Sequence, residues 1–234
     1  MPKMATRRLV RTCLAFASGA ACLSFLLVPA LVSSGVIERL PEAVLARYVD
    51  TYGDDARARL VEWDLLLGQP GGSEADRNLR VNDFFNQVPW VDDREAWGRR
   101  DYWATPYEML GANKGDCEDF SIAKYFSLKQ LHVPGEKLLV TYVRAPRLGQ
   151  THMVLAYYPS PNADPYILDN ITNEIRRGSE RTDLIPVYSF NAEGLWKSIE
   201  RGRGKRVGGA KKLHAWRGVL KRMEAHGWPR PGLS

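Results

Sequence analysis

Residues 115–130 read GDCEDFSIAKYFSLKQ, a glycine-containing turn that runs directly into a helical pattern. Apolar side chains occupy most sides of this pattern, which is typical of a helix buried inside a domain. Cys117 falls in the first turn, where free backbone N–H groups and the positive end of the helix dipole favour an anion. The segment therefore predicts a buried central helix that carries a nucleophilic cysteine at its N-terminus.

Three strand-like runs follow this helix, and short loops with Pro146, Gly149 and Pro165 join them. The runs cover residues 137–144, 151–158 and 166–170. Connections this short imply antiparallel neighbours, because a parallel crossover needs about a dozen residues or more. One buried helix against an antiparallel sheet predicts an α+β fold.

The residues before the central helix favour further helices. Apolar residues have helical spacing through 42–68 with a break at Tyr52-Gly53, and Ser73 with Asp76 forms the cap of another helix. Residues 88–110 are rich in tryptophan, tyrosine and charge without a clean period, which indicates an ordered loop packed against the central unit. We therefore predict that 36–110 is the helical N-terminal part of the domain whose core is 111–197.

The first 35 residues have the pattern of an export signal. Four basic residues precede a nearly uncharged apolar stretch, which ends in Ser33, Ser34 and Gly35. The apolar run of about 20 residues is also long enough to span a bilayer, so an uncleaved N-terminal anchor remains an alternative. Either version predicts export of everything beyond residue 36. Cys117 is the single cysteine beyond this segment, which excludes a disulfide within the exported part.

Charge is distributed unevenly along the chain. The net charge of +6 comprises +4 from residues 1–35 and +9 from residues 197–234, which leaves −7 for residues 36–196. The basic balance therefore belongs to the two ends and does not indicate nucleic-acid binding. We predict no nucleic-acid partner.

The basic C-terminal tail, residues 198–234, contains an amphipathic helical pattern. Leu213, Trp216, Leu220 and Met223 fall on one face of it amid lysines and arginines. We favour the interpretation that this apolar stripe docks on the acidic body. The alternative is peripheral contact with anionic lipid or with an acidic partner.

Two further residues complete a candidate catalytic group with Cys117. His152 is the histidine that lies in a strand-like run, and Asp169 ends the next such run, 17 positions later. If the two strands are neighbours, His152 can face the sulfur while Asp169 orients the imidazole. The order Cys, His, Asp predicts a thiol triad. The opposing interpretation is an inert buried cysteine, because free cysteine behaves as a small hydrophobe.

Three carboxylates surround the cysteine, at Asp116, Glu118 and Asp119. Negative charges so close raise a thiol pKa and oppose its activation. Helix capping explains Asp116 and Asp119, because acids three residues apart form a capping box. A bound Ca²⁺ is the second explanation, since a cluster of oxygen ligands suits this cation. On the second explanation Asp116, Glu118 and Asp119 are candidate calcium ligands, and both explanations remain open from these residues alone.

The chain resembles the bacterial transglutaminase-like cysteine proteases of the LapG type. The resemblance covers roughly residues 85–197 and depends on several motifs in order. These are GDCEDF at 115–120 with IAKY at 122–125, HMVLAYY at 152–158, LDN at 168–170, and PVYSFN at 186–191 followed by GLW at 194–196.

The resemblance implies a transglutaminase/papain-like core at 111–197 with Cys117 as nucleophile, His152 as general base and acid, and Asp169 as the residue that orients His152. It also implies Ca²⁺ binding through the acidic cluster, best by Asp116 and Glu118. Proteins of this type are periplasmic, cleave a large surface adhesin near its N-terminus and thereby promote biofilm dispersal. An inner-membrane receptor for cyclic di-GMP sequesters them.

Two other functions use the same residues or the same fold. A transglutaminase-type acyl transferase has the same triad but lets an amine, instead of water, intercept the acyl-enzyme. A noncatalytic calcium-binding module keeps the fold with an inert Cys117. Rapid alkylation of the thiol near neutral pH separates the enzymes from this module.

Overall fold

The computed structural model describes residues 40–199, 202–209 and 213–228. These residues belong to one compact unit. The predicted signal or anchor at 1–35 lies outside the described residues. Among those described, no helix has the length and apolar character needed to cross a membrane.

Seven α-helices and seven β-strands build the described part of the chain. The helices are α1 (Glu42–Tyr52), α2 (Asp54–Leu67), α3 (Glu74–Phe85), α4 (Asp93–Trp97), α5 (Pro106–Ala112), α6 (Cys117–Gln130) and α7 (His214–Ala225). The strands are β1 (Leu138–Ala145), β2 (Gln150–Tyr157), β3 (Tyr166–Leu168), β4 (Arg176–Arg177), β5 (Ile185–Phe190), β6 (Leu195–Ile199) and β7 (Gly202–Gly208).

The strands form one sheet in the order β4-β3-β2-β1-β5-β6-β7, and all of its pairings are antiparallel. The predicted antiparallel arrangement of the three strands after the central helix is confirmed. In the register of β1 and β2, Val143 lies opposite His152. In the register of β2 and β3, Leu155 lies opposite Leu168, which brings the residue after β3 close to the start of β2.

The central helix α6 packs on β1 and β2, as the sequence predicts. Met153, Leu155 and Tyr157 of β2 join the main core with this helix, and Val154 and Ala156 join a second apolar cluster. Successive side chains of a strand point to opposite faces, so both faces of the sheet are buried here. The predicted α+β fold is confirmed, with a buried helix against an antiparallel sheet.

The first three helices confirm the helical prediction for the N-terminal part. Gly53 separates α1 from α2 with a φ of 86°, a backbone conformation that favours glycine. Ser73 and Asp76 form the predicted capping box of α3: the Ser73 hydroxyl accepts from the Asp76 N–H, and Asp76 Oδ2 accepts from the Ser73 N–H.

The prediction of an irregular loop over 88–110 is wrong in part, because the segment contains α4 and most of α5. α4 has five residues and α5 has seven, too short for an apolar period to be visible. Thr105 and Glu108 form a capping box at the start of α5, and Pro106 occupies its first turn. The predicted packing of this segment against the central unit is correct, since Ala104 and Trp97 both donate hydrogen bonds to Asp119 of α6.

The C-terminal helix α7 docks its apolar stripe in the main core, as predicted. Trp216 and Val219 are fully buried and Met223 is 1% exposed. The Trp216 ring lies 5.6 Å from that of Phe126 and 5.3 Å from that of Phe190. The sheet also continues past residue 197 through the end of β6 into β7, so the described part of the basic tail is integrated with the core.

Candidate active site

Cys117 is the first residue of α6, and the preceding loop is fixed to the neighbouring chain. The Val91 N–H donates to the Gly115 carbonyl at 2.9 Å, and Trp90 pairs with Gly115 in a short parallel bridge. At Gly115, a β-carbon would lie 2.9 Å from the Asp119 side chain. The absence of a side chain at Gly115 therefore lets the turn close onto the first turn of the helix.

The Cys117 thiol is partly exposed and contacts a carboxylate. Its Sγ lies 2.7 Å from Glu118 Oε2, to which the thiol donates. Burial and the charge of Glu118 raise the pKa of Cys117 well above its usual value, and a hydrogen bond from the Met153 N–H opposes that rise. The structure thus contains the predicted conflict between the acidic cluster and a thiolate.

His152 and Asp169 form the contact that the sequence predicts. His152 Nε2 lies 2.8 Å from Asp169 Oδ1, and the side chains are 2% and 0% exposed. His152 precedes Met153, whose N–H faces the Cys117 sulfur. Because Nε2 is engaged by the carboxylate, Nδ1 is the ring nitrogen left to serve the thiol.

Asp169 has further partners that fix its ionised form. Arg181 Nη2 donates to Oδ2 at 2.8 Å, and the Ile171 N–H donates to Oδ1 at 3.1 Å. Burial opposes ionisation of this carboxyl, but its interaction with His152 and its hydrogen bonds from the Ile171 N–H and Arg181 outweigh burial and lower the pKa of Asp169 to about 2. Asp169 is thus an anion that can stabilise an imidazolium.

Four of the candidate residues, Asp116, Cys117, Glu118 and His152, line one open cleft of about 530 Å³. It contains Cys117 and His152, and its rim includes the exposed apolar side chains of Trp90, Leu148 and Ile171. A separate cavity of about 600 Å³ lies over the second apolar cluster and includes neither Cys117 nor His152. The cleft around Cys117 is therefore the candidate site for chemistry.

In the structure, two further carboxylates join the acidic residues next to Cys117. Asp93 and Asp101, from the segment around α4, lie near Asp116 and Glu118, with carboxylate oxygens within 4.8 Å of one another in overlapping groups. Burial and neighbouring carboxylates raise the pKa of Asp116 to about 10 and that of Asp93 to about 6. A cation among these carboxylates would favour their ionised forms.

These residues fit a calcium ion. Asp93 Oδ1 and Asp116 Oδ1 are buried and lack a hydrogen-bond partner among the described residues, and buried carboxylate oxygens normally have one. Hard oxygen donors of this kind suit Ca²⁺. Asp93, Asp101, Asp116 and Glu118 are therefore the residues that would hold it.

Asp119 has a different set of contacts from the other two predicted ligands. Its Oδ1 accepts from the Ala104 N–H at 2.6 Å, and its Oδ2 accepts from Trp97 Nε1 and the Asp116 N–H, each at 3.3 Å. Although it lies within 4.8 Å of the Asp93 and Asp116 oxygens, these bonds make it the weakest of the three candidate ligands. Its main contribution is to order the loop before Cys117.

Asp93, Asp101 and Arg181 are the site residues that sequence reasoning missed. Asp93 follows Asp92, the N-cap of α4. Recognition of Asp92 as an N-cap would have predicted a helix that begins at Asp93, in place of a loop. Asp101 and Arg181 are remote in sequence from the residues they approach. No local signal in the sequence points to those contacts.

The fold, a cysteine at a helix start and a buried His–Asp pair define a transglutaminase-like cysteine proteinase. The chain belongs to the family of bacterial transglutaminase-like cysteine proteinases (BTLCP), whose model matches residues 72–203. The family resemblance drawn from the motifs is therefore confirmed.

Solved structures of LapG from Legionella pneumophila are similar to this chain at 39% sequence identity. The EGTA-treated form has a TM-score of 0.69, with 78% of this chain and 96% of that chain covered. The calcium-bound form has a TM-score of 0.66, with 76% of this chain and 97% of that chain covered. No curated protein matches the chain.

Proposed function

We propose that this protein is an exported, calcium-dependent cysteine endopeptidase that cleaves a large surface adhesin near its N-terminus. The observation that carries the proposal is the buried contact between His152 and Asp169 beside the cleft that contains Cys117. An inert structural cysteine needs no such pair. A noncatalytic module is disfavoured for the same reason.

The chemistry begins with transfer of the Cys117 proton to Nδ1 of His152, and Asp169 stabilises the imidazolium that forms. The thiolate attacks the peptide carbonyl carbon to form a tetrahedral intermediate. The imidazolium then donates its proton to the leaving amine as the C–N bond breaks. Water, deprotonated by His152, attacks the resulting thioester, and collapse of the second intermediate returns the thiol and a free carboxylic acid.

The start of α6 supplies donors for the oxyanion. As the first helical residue, Cys117 has a backbone N–H without an intrahelical acceptor. Such a donor, held by the helix and the paired loop at Gly115, is preorganised for the negative charge that develops on the substrate oxygen.

Bound Ca²⁺ would supply positive charge that lets the acidic residues ionise together and lowers the cost of a thiolate beside them. Asp93, Asp101, Asp116 and Glu118 are the proposed ligands, and Asp119 orders the loop. Glu118 contacts the thiol at 2.7 Å, so engagement of this carboxylate elsewhere would release Cys117 for pairing with His152. The calcium-bound and EGTA-treated states of the LapG structures support a role for this ion.

The biological setting is part of the proposal. The basic and apolar pattern at 1–35 supports a periplasmic location, where an adhesin can be cut and biofilm dispersed. An inner-membrane cyclic di-GMP receptor that sequesters the enzyme is proposed from the family resemblance. The exposed basic residues Arg217 and Lys221 of α7 support peripheral contact with anionic lipid.

The test is incubation of the purified exported portion with N-terminal fragments of candidate adhesins, with and without Ca²⁺, followed by mass spectrometry of the products. We expect two fragments in Ca²⁺, one with a new carboxyl terminus and one with a new amino terminus, and no cleavage with Cys117→Ala. Incorporation of an added primary amine in place of hydrolysis would identify the acyl transferase instead. Cleavage by Cys117→Ala at the wild-type rate would rule out the mechanism.

A further inference from the structure

Lys124 is a buried cation in α6 that the mechanism above does not use. It lies seven residues after Cys117, or about two helical turns, and therefore on the same side of the helix. Its side chain has no exposed surface. Because lysine is almost never fully buried, its contacts must compensate for the loss of hydration.

The Lys124 amine has three close acceptors. Nζ lies 2.8 Å from Asn82 Oδ1, 2.7 Å from Asn86 Oδ1 and 3.0 Å from the Asp169 carbonyl oxygen. An ammonium group has three hydrogens and a neutral amine has two. The three acceptors therefore match the protonated form.

The orientation of the two asparagine amides supports this arrangement. Asn82 Nδ2 donates to the Asn173 carbonyl, and Asn86 Nδ2 donates to the Asp169 carbonyl, each at 2.9 Å. Because each Nδ2 faces a carbonyl oxygen, each Oδ1 is the amide atom that faces Lys124. The Asp169 carbonyl consequently receives hydrogen bonds from both Lys124 and Asn86.

The stability of the fold does not by itself explain a lysine at position 124. Burial lowers the pKa of Lys124 to about 7, although the carboxylates of Asp169 and Asp83 oppose that change. No carboxylate oxygen is among the hydrogen-bond acceptors of its amine. An apolar side chain of similar volume would avoid the cost of desolvating a cation.

We infer that Lys124 is a positioning residue that fixes the main chain of Asp169 and, through it, the carboxylate that orients His152. Arg181 and the Ile171 N–H hold the carboxylate, while Lys124 and Asn86 hold the backbone carbonyl. Small displacements of a catalytic group cost large factors in rate. The inference depends on the proposed function, because it concerns the geometry of the same triad.

The experiment compares wild type, Lys124→Met and Lys124→Gln as full exported proteins in saturating Ca²⁺. Lys129→Met is the matched control, since Lys129 lies on the same helix with Glu193 and Glu136 as its charged neighbours. Circular dichroism verifies the fold. The two readouts are the rate of Cys117 alkylation by iodoacetamide at pH 7 and the NMR resonance of the His152 Nε2 proton in ¹⁵N-histidine-labelled protein.

We expect Lys124→Met to be folded, to shift the His152 Nε2 proton resonance, and to be alkylated at least about tenfold more slowly than wild type. Lys124→Gln retains two donor hydrogens, so its alkylation rate and its His152 resonance should lie between those of wild type and Lys124→Met. Lys129→Met should match wild type in both readouts. If Lys124→Met does not fold, Lys124→Gln decides the question.

A folded Lys124 variant with the wild-type resonance and alkylation rate overturns the inference, as does failure of both variants to fold, which would make Lys124 a structural residue. Failure of the proposed function has a different signature. In that case Cys117 of the wild type is itself unreactive and no peptide is cleaved, while the His152 resonance still reports whether Lys124 positions Asp169.

Discussion

His152 Nε2 and Asp169 Oδ1 lie 2.8 Å apart, although the two residues are 17 positions apart in the chain. The antiparallel pairing of β2 with β3 accounts for this proximity. Arg181 then approaches the other carboxylate oxygen from a loop beyond β4. The orientation of the imidazole therefore depends on three separate segments.

Asp169→Asn tests this orientation. The substitution removes the negative charge that stabilises the imidazolium, so we expect Cys117 alkylation and peptide cleavage to fall by on the order of 10²-fold or more. The measurement is the alkylation rate near neutral pH in Ca²⁺. Asp183→Asn is the matched control, because Asp183 also binds Arg181, whereas the described hydrogen bond of the His152 ring is to Asp169. Equal rates in Asp169→Asn and Asp183→Asn would contradict the assignment.

Arg181→Met tests the support of that carboxylate. The Arg181 side chain is 7% exposed and the Asp169 side chain is 0% exposed. Loss of the arginine leaves a buried carboxylate with only part of its partners, so we expect a loss of about 3–5 kcal/mol in the free energy of unfolding. Urea denaturation gives this value. A variant as stable as wild type would mean that water or another cation compensates fully.

The sequence predicts the centre of the fold better than its edges. The central helix and β1 to β3 are rich in apolar residues, and their predicted limits lie within two residues of the observed ones. β7 reads GRGKRVG and has no alternation of apolar and polar residues, so its pairing with β6 has no local signal. β4 has two residues, which is too short to predict.

The residues of the candidate site also differ in whether the sequence predicts them. Cys117, His152 and Asp169 stand at the ends of strongly apolar elements, where their chemistry is visible in the sequence. Asp93 and Arg181 become site residues only because the segment around α4 folds back over the start of α6 and the loop after β4 reaches Asp169. Contacts of this kind depend on tertiary structure, which residue spacing alone does not determine.

Asp93→Asn tests the proposed calcium site. Asp93 supplies a buried oxygen without a hydrogen-bond partner among the described residues, so loss of its charge should weaken Ca²⁺ binding by about tenfold or more. Isothermal titration calorimetry measures the affinity. Glu95→Gln is the control, because Glu95 is an exposed acid on the same short helix.

In the wild type, EGTA should lower both the cleavage rate and the melting temperature, since a ligand that binds only the folded state stabilises it. Full activity in metal-free protein would exclude calcium dependence. Unchanged affinity in Asp93→Asn would instead remove only this residue from the ligand set.

The low pKa of Asp169 makes a prediction about acid stability. The pKa is about 2 in the folded protein, below the ordinary value of 3.8 for an aspartate, so this carboxylate contributes stability that is present above pH 4 and is lost as the pH falls towards 2. The contribution is about 2 kcal/mol. Unfolding free energies at pH 5 and pH 2 measure it. The decline should be smaller in Asp169→Asn by that amount, and equal declines would show that Asp169 is not held as an anion.

Trp216→Ala tests whether the C-terminal helix is part of the core. The Trp216 side chain is fully buried and packs against the rings of Tyr125, Phe126 and Phe190. Removal of a buried tryptophan costs about 3–5 kcal/mol. Urea denaturation should therefore show a single transition with a free energy of unfolding lower by that amount. Lys221→Ala, an exposed change on the same helix, should alter stability by no more than about 0.5 kcal/mol. If Trp216→Ala were as stable as Lys221→Ala, α7 would not be anchored in the core, and its apolar stripe would be available to a membrane or a partner.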